Sequence, residues 1–287
     1  MKVQGSEALL KSLTKEGVDT VFGYPGGAIM PIYDALYRYM DKINHILTRH
    51  EQGAIHAAQG YSRVSGKVGV CFATSGPGAT NLITGIADAQ IDSTPIVCIT
   101  GQVPSQLLGT DAFQESDVIG ISMPVTKWNY QITNSDEIPE IISKAFYIAK
   151  SGRPGPVLID ITKDAQFSDV NFKYKKCEKI RSYHPYPIID MDKVSKAAEL
   201  INKSKKPMIL VGQGVLLSNA ENELIKFSEK SGIPMASTLL GLSAVSCNHK
   251  NYIGYLGMHG NYGPNVKTNE SDLIIAVGMR FDDRVTG

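Results

Sequence analysis

The sequence predicts an α/β protein: a doubly wound parallel sheet with flanking helices, followed by a second, truncated α/β domain. Three observations carry this. Short apolar runs alternate with helical patterns of about 10–15 residues, the rhythm of a parallel sheet with crossover helices. The mostly apolar runs at 68–72 and 95–100 read as buried strands, as in a sheet covered on both faces, and 156–161 as a further strand. Glycine turns follow several of these runs, at Gly23–Gly27, Ser75–Gly78, Gly212–Gly214 and Gly278.

Taken in order, residues 5–16 read as a helix closed by Gly17, and Val18 to Phe22 as a strand. After the turn Gly23-Tyr24-Pro25-Gly26-Gly27, Pro31 opens a helix running to about Tyr39. Residues 45–48 are β-prone. From Glu51, small or apolar residues at 54, 55, 58 and 61 have helical spacing, and Gly66 ends the helix. A strand follows at 68–72, then Ser75-Gly76-Pro77-Gly78-Ala79, where Pro77 suits a first helical position. Thr80 to Gln90 is helical and 95–100 a buried strand. Gly101 to Gln114 is a polar loop of a length that is often functional. Trp128 to Ile132 reads as a strand, Ser135 to Lys150 as a helix and Pro156 to Ile161 as the last strand of the first domain, 1–165.

Residues 166–189, rich in Lys, Tyr and Pro, read as an interdomain linker. The second domain, 190–287, has a Rossmann-like rhythm: helix 191–203, strand 207–211, helix 220–231, strand 233–237 and strand 273–277. A net charge of +1 implies no polyelectrolyte partner, so a nucleic-acid role is not expected, and the basic run 173–181 reads as a solvated linker. Cys71, Cys98, Cys177 and Cys247 form no CxxC pair, so no zinc or redox motif is signalled. This usage fits a reducing cytoplasm, and no signal peptide or membrane-length apolar run is expected.

Glu51 is the first candidate for chemistry. At a helix start it complements the helix dipole, which accounts for it without any function. Beside a glycine-rich turn it can also exchange a proton with a bound heterocycle. The turn Thr74–Gly78 lacks the Lys-Ser/Thr of a phosphate-binding P-loop. Gly212-Gln213-Gly214 stands where a dinucleotide-binding turn would sit, but Leu217 replaces the third glycine, so a tight βα turn remains the plain reading. Gly278-Met279-Arg280 follows the strand LIIAV, so two strand ends present glycines at the edge where open α/β sheets bind ligands.

HEQGAIHAAQGYSR, TSGPGATN, GQVPSQLLGTDAFQE, SGRPGPVLID and GMRFDDRVTG occur in that order. With them the chain resembles the large, catalytic subunit of acetohydroxyacid synthase, also called acetolactate synthase, a thiamine-diphosphate enzyme. The first two motifs are shared across many thiamine-diphosphate enzymes; the last three are more specific. The resemblance runs from about residue 5 to residue 287 and stops well before the family's own end.

The resemblance implies condensation of pyruvate with pyruvate or 2-oxobutyrate, with loss of CO₂, in branched-chain amino-acid synthesis. It makes 1–165 the domain that binds the cofactor's pyrimidine. Glu51 would hydrogen-bond the aminopyrimidine ring nitrogen and favour the imino tautomer that removes the thiazolium proton. Tyr24, Pro25, Gly26 and Gly27 would lie over the reacting carbon. Ser75, Pro77, Gly78 and Asn81 would line the cofactor turn, and Phe113 and Gln114 the same site. Lys163 matches a lysine at the site entrance, although Thr162 stands where the family has Pro.

FAD, doing no net redox chemistry, would contact Arg153, Gly212, Gly214, Thr238, Leu239, Met258, His259, Gly278, Arg280 and Asp282. Without the family, His259 reads as a structural loop histidine, and Arg280 with Asp282 and Asp283 as a surface charge cluster. The family holds diphosphate and Mg²⁺ through a GDG…N motif in a C-terminal domain. No GDG occurs here, so no metal ligands are expected in this chain and the chain alone is expected to be inactive. A homodimer or tetramer of catalytic subunits, and a small regulatory subunit, are the implied partners. A related pyruvate oxidase or catabolic acetolactate synthase, or a non-catalytic truncated module, are the alternatives.

Overall fold

The computed structural model describes residues 2–286. The chain divides between Pro187 and Ile188 into two compact units. The first unit runs β1 (Lys2–Gln4), α1 (Gly5–Lys15), β2 (Thr20–Gly23), α2 (Met30–Tyr37), β3 (Asn44–Leu47), α3 (Glu51–Ser65), β4 (Gly69–Ala73), α4 (Pro77–Thr80) and α5 (Ile83–Ile91). It continues with β5 (Ile96–Gln102), α6 (Val118–Ser122), β6 (Trp128–Ile132), α7 (Ile138–Lys150), β7 (Pro156–Thr162), α8 (Lys163–Phe167) and β8 (Asp169–Asn171). Six parallel strands form its main sheet, in the order β3-β2-β4-β5-β7-β6.

Alternation along each strand fills two cores. Val70 and Phe72 of β4 face one cluster with Leu9, Leu13, Ile32, Ile142 and Phe146. Cys71 and Ala73 face the other, with Ala54, Ile55, Ala58 and Ile86. Helices α1, α2 and α7 therefore cover one face, and α3 and α5 the other. The second face is richer in small residues, Ala54, Ala58, Ala73 and Ala79 among them, and α3 lies close to its neighbours: a methyl at Gly85 in α5 would stand 2.2 Å from Ile55 Cγ2 of α3. Cys71 and Cys98 are buried there in cross-strand register, Sγ to Sγ 3.4 Å.

Local chemistry sets the ends of α3. Gly66 takes a left-handed φ of 71° at its C-terminus. At its N-terminus, His50 Nδ1 accepts a hydrogen bond from the Gln52 amide at 3.1 Å. Pro77 does begin a helix, but α4 is a single turn, and Asn81 and Leu82 separate it from α5. The helix expected from Ser135 starts with a 3₁₀ turn, Ser135–Glu137, before α7.

The stretch 166–189 is not a free connector. It holds the end of α8 and strand β8, which pairs antiparallel with β1. Ser143 Oγ then accepts from the Cys177 amide at 2.6 Å, and Tyr183 lies against Lys127, whose Nζ donates to its hydroxyl at 3.2 Å. Lysine-rich composition concealed these anchors.

The second unit contains α9 (Met191–Lys203), β9 (Pro207–Val211), α10 (Gln213–Leu217), α11 (Glu221–Ser231), β10 (Met235–Ser237), β11 (Tyr252–Tyr255), α12 (Tyr262–Glu270), β12 (Leu273–Val277) and α13 (Asp283–Thr286). Its four strands are parallel, ordered β11-β10-β9-β12. β11 and α12 lie in a polar stretch that periodicity does not reveal. Among the described residues no helix is long and apolar enough to cross a membrane.

Two tests follow. Gly85→Ala overpacks the α3–α5 contact and is expected to destabilise the first unit by about 1–3 kcal/mol. Trp128, the sole tryptophan, sits in this unit and reports its unfolding in denaturant; a midpoint equal to wild type would refute the tight approach. At the amino end of the sheet, Asp19 accepts from Lys67 Nζ, from Tyr61 Oη at 2.5 Å and from Thr20 Oγ1 at 3.0 Å. These partners, Lys67 first, lower its pKa from 3.8 to about 2. The folded value lies below the unfolded one, so this stabilisation is present above about pH 4 and is lost as pH falls toward about 2. Asp19→Asn should flatten that segment of the acid-unfolding profile.

Candidate active site

Three loops meet at the carboxyl edge of adjacent strands: Tyr24–Ala28 after β2, Thr74–Gly78 after β4 and the 101–116 loop from the end of β5. Open parallel sheets place ligands at this edge. Helix α3 begins beside them. The Thr48 amide donates to Gly23 O at 3.1 Å and fixes the chain's approach to that helix.

Glu51 is the first residue of α3 and is 8 % exposed. Its Oε2 accepts from Asn81 Nδ2 at 2.9 Å. Its Oε1 faces Gly78, where an added Cβ would stand only 3.2 Å away. The carboxylate is thus held on one side by an amide and left open on the other by a residue without a side chain. The helix dipole favours the anion at this position. Glu51 thus stands at the helix start, where it complements the dipole, and its second oxygen faces the turn.

Backbone approach locks the loops together. Gly76 has φ 57°, and a Cβ there would lie 2.6 Å from Gln114 O. Only glycine allows the 101–116 loop to rest on the turn. Thr74 Oγ1 accepts from the Ala28 amide at 3.2 Å, tying the first loop to the second. Glu51, Ser75, Gly78, Asn81, Gly26 and Gln114 are thus joined by direct or one-residue links. Gly27 has open space around it. Tyr24 and Phe113 are solvent-facing, Phe113 at 87 % exposure. Lys163 opens α8. Thr162, where the family has Pro, completes β7 opposite Gln102 and donates to Ile132 O at 3.3 Å, so the turn is intact.

In the second unit, the residues singled out for FAD fall at the carboxyl ends of all four strands. Gly212 and Gly214 follow β9, Thr238 and Leu239 follow β10, Met258 and His259 follow β11, and Gly278, Arg280 and Asp282 follow β12. The glycines first serve the fold. A Cβ on Gly212 would lie 2.3 Å from Gly278 O, and the Gly214 amide donates to Gly278 O at 2.8 Å. The Gly212 amide donates to Val277 O at 2.9 Å. Tight-turn packing accounts for them, and both amides are engaged within the protein. Arg280 Nη2 lies 3.3 Å from Asp282 Oδ2. Leu239, Met258 and Phe281 are more than half exposed at this edge. Arg153 belongs to the first unit, where Nε donates to Ser93 Oγ at 2.7 Å and Nη2 to Ile91 O at 2.9 Å, closing the C-terminus of α5. Ser93 is a partner that sequence reasoning missed, since DST-P carries no local signal.

The family described as thiamine pyrophosphate enzyme, N-terminal TPP binding domain, matches residues 3–121, and its central domain matches residues 194–287. The chain belongs to the thiamine pyrophosphate (thiamine diphosphate) enzymes. Among them it is similar to the acetolactate synthase large subunit of Corynebacterium glutamicum, 50 % identical over 286 residues, which cover 100 % of this chain and 46 % of that protein. The probable acetolactate synthase large subunit of Methanococcus aeolicus is 51 % identical over 288 residues, 99 % of this chain and 48 % of that one. Acetolactate synthase of Mycobacterium bovis is 48 % identical over 286 residues, 100 % and 46 %. The chain spans about half the length of the curated relatives it matches.

Asn81→Ala should leave the buried Glu51 Oε2 without its amide donor, at a cost of about 1–3 kcal/mol. Denaturant unfolding followed by Trp128 fluorescence measures this; no loss would mean that the carboxylate does not depend on Asn81.

Proposed function

We propose that this chain forms the pyrimidine side of a thiamine diphosphate site in an acetolactate synthase catalytic subunit. The observation that carries this is the half-satisfied carboxylate of Glu51, buried at a helix start with one oxygen turned to Gly78. A nitrogen heterocycle is the ligand such an arrangement fits: a flat ring reaches the oxygen past a glycine, and a carboxylate shares a proton with a ring nitrogen. When bound, thiamine diphosphate supplies an electron sink for decarboxylation of a 2-oxo acid. The protein's part is to hold that proton at Glu51, to orient the ring between the Thr74–Gly78 turn and α3, and to exclude water. Buried Thr74 and Ser75 serve the last purpose.

Tyr24–Gly27 and Phe113–Gln114 border the space in front of that turn and would enclose pyruvate and the second 2-oxo acid. The naming of the relatives supports this substrate pair and a place in branched-chain amino-acid synthesis. FAD would rest on the carboxyl edge of the second unit, on the backbone surface of Gly212, Gly214 and Gly278, with Thr238, Leu239, Met258, His259, Arg280 and Asp282 around it. Mg²⁺ and the diphosphate fall, in this reading, to the portion of the relatives' length that the chain does not span. Catalytic subunits paired as a homodimer or tetramer, joined by a small regulatory subunit in the cytoplasm, complete the proposal.

The test is Glu51→Gln in the full-length protein. The amide keeps the shape and loses the proton exchange, so turnover of pyruvate should fall by roughly 10²–10⁴-fold or more, with the fold retained. Hydrogen–deuterium exchange at C2 of bound thiamine diphosphate, followed by NMR, reads the step directly. Exchange at the wild-type rate would overturn the assignment. Flavin absorbance in the purified full-length protein tests the second ligand.

A further inference from the structure

A buried polar network lies behind the 101–116 loop, and the chemistry at Glu51 does not use it. Asp160 sits in β7 with no exposed surface. Thr100 of β5 and Gln131 of β6 flank it in register on the two neighbouring strands. Its carboxylate accepts from Thr100 Oγ1 at 2.6 Å, from Gln131 Nε2 at 2.9 Å and from Gln102 Nε2 at 3.1 Å. Among the described residues no cation pairs with it. Burying such a group is costly, and Ile159 and Ile161 beside it along β7 are buried apolar core residues. Its presence calls for a task other than packing.

Gln102 shows what that task is. It lies two residues beyond Thr100 on β5, on the same side of the sheet. Its Nε2 donates both to Asp160 and to Ser116 O, at 3.1 Å each. Its Oε1 accepts from the Val103 amide at 2.9 Å. Asp160, an acceptor, fixes which way the amide points, and the amide ties the loop's first residues to its last. Between those ties the loop holds Gly109, Asp111 and Gln114 at φ 76°, 57° and 57°. The two non-glycine residues there are strained and keep this geometry only if the surroundings impose it. Asp164 pins the near end through the Ser105 amide and hydroxyl at 2.9 and 2.6 Å. Glu115 closes the tip by accepting from the Gly109 amide and, at 3.1 Å, from the Ala112 amide.

We propose that Asp160 and Gln102 are positioning residues: through Ser116 they set where Phe113 and Gln114 stand over the Ser75–Gly78 turn. The proposal rests on reading that loop as part of the substrate site. Gln131 is the internal control, since it bonds the same carboxylate and, among the described residues, has no hydrogen bond to the loop.

Hydrogen–deuterium exchange of peptides spanning 103–116 tests it on the chain itself, without cofactor or activity. Gln102→Met should speed exchange at the Ala112 and Glu115 amides by about tenfold or more, and Asp160→Asn likewise, while Gln131→Met should leave the loop within about twofold of wild type. Wild-type protection in a folded Gln102→Met protein would overturn the proposal. So would equal loosening in Gln131→Met, which would make the network merely structural. Should Asp160→Asn fail to fold, the two glutamine variants decide alone. In the full-length protein, Gln102→Met should raise the KM for pyruvate about tenfold with C2 exchange unchanged, the split expected of a misplaced substrate loop. A loosened loop with unchanged KM would uphold the positioning and overturn the loop's place in the substrate site.

Discussion

The candidate site depends on how near α3 can come to its neighbours. Glu51 can meet both Asn81 and Gly78 only because its helix lies low on the sheet, with its own small Ala54 and Ala58 turned inward and Gly69 of β4 and Gly85 of α5 packed close against it. Bulky residues on that face would lift α3 and carry the carboxylate away from the turn. Close packing transmits such shifts because interiors have little slack. The bulky Phe72 and Phe146 lie on the opposite face. The sheet is thus asymmetric: one side gains stability from large apolar groups, and the other gives up volume to bring a functional helix close.

Glycine does different work at the two carboxyl edges. In the first unit, Gly76 and Gly78 admit other groups, the Gln114 backbone and the Glu51 carboxylate. In the second, Gly212, Gly214 and Gly278 admit one another, and the Gly212 and Gly214 amides are bonded within the protein. A glycine pattern at a strand end therefore does not by itself identify a donor set for phosphate. The second edge offers a smooth backbone surface rimmed by exposed Leu239, Met258 and Phe281, better suited to the flat and apolar parts of a ligand than to a phosphate cradle.

Much of this was legible in the sequence, for physical reasons. Strands β6, β9 and β12 and helix α9 match their expected bounds because each has one period and clear breakers at its ends. The doubly wound class follows from alternation, which does not require precise boundaries. Elements held by long-range pairing escaped. β8 is three residues that are strand-like only because β1 lies beside them, and β11 is a short strand inside a polar run. At the site, Glu51 and its turn were readable because helix start and glycine turn are local signals. Asp160 and Gln102 were not singled out. Each looks ordinary in its own strand, and their meaning comes from register across β5, β7 and β6.

Three carboxylates of the first unit show how position along the same sheet divides the work. Asp19, at the amino end and partly exposed, has Lys67 and Tyr61 beside it, and its charge is favoured. Asp160, inside the sheet, has neutral donors, and burial pushes its pKa up. It can order its neighbours only by accepting hydrogen bonds, so its influence is directional rather than long-ranged. Glu51, at the carboxyl end, keeps one oxygen bonded and one turned to a glycine. The first anchors a helix to the sheet, the second orients a loop, and the third is left available. A parallel sheet makes this division natural, because every strand ends at the same edge and every loop there can be supported from below.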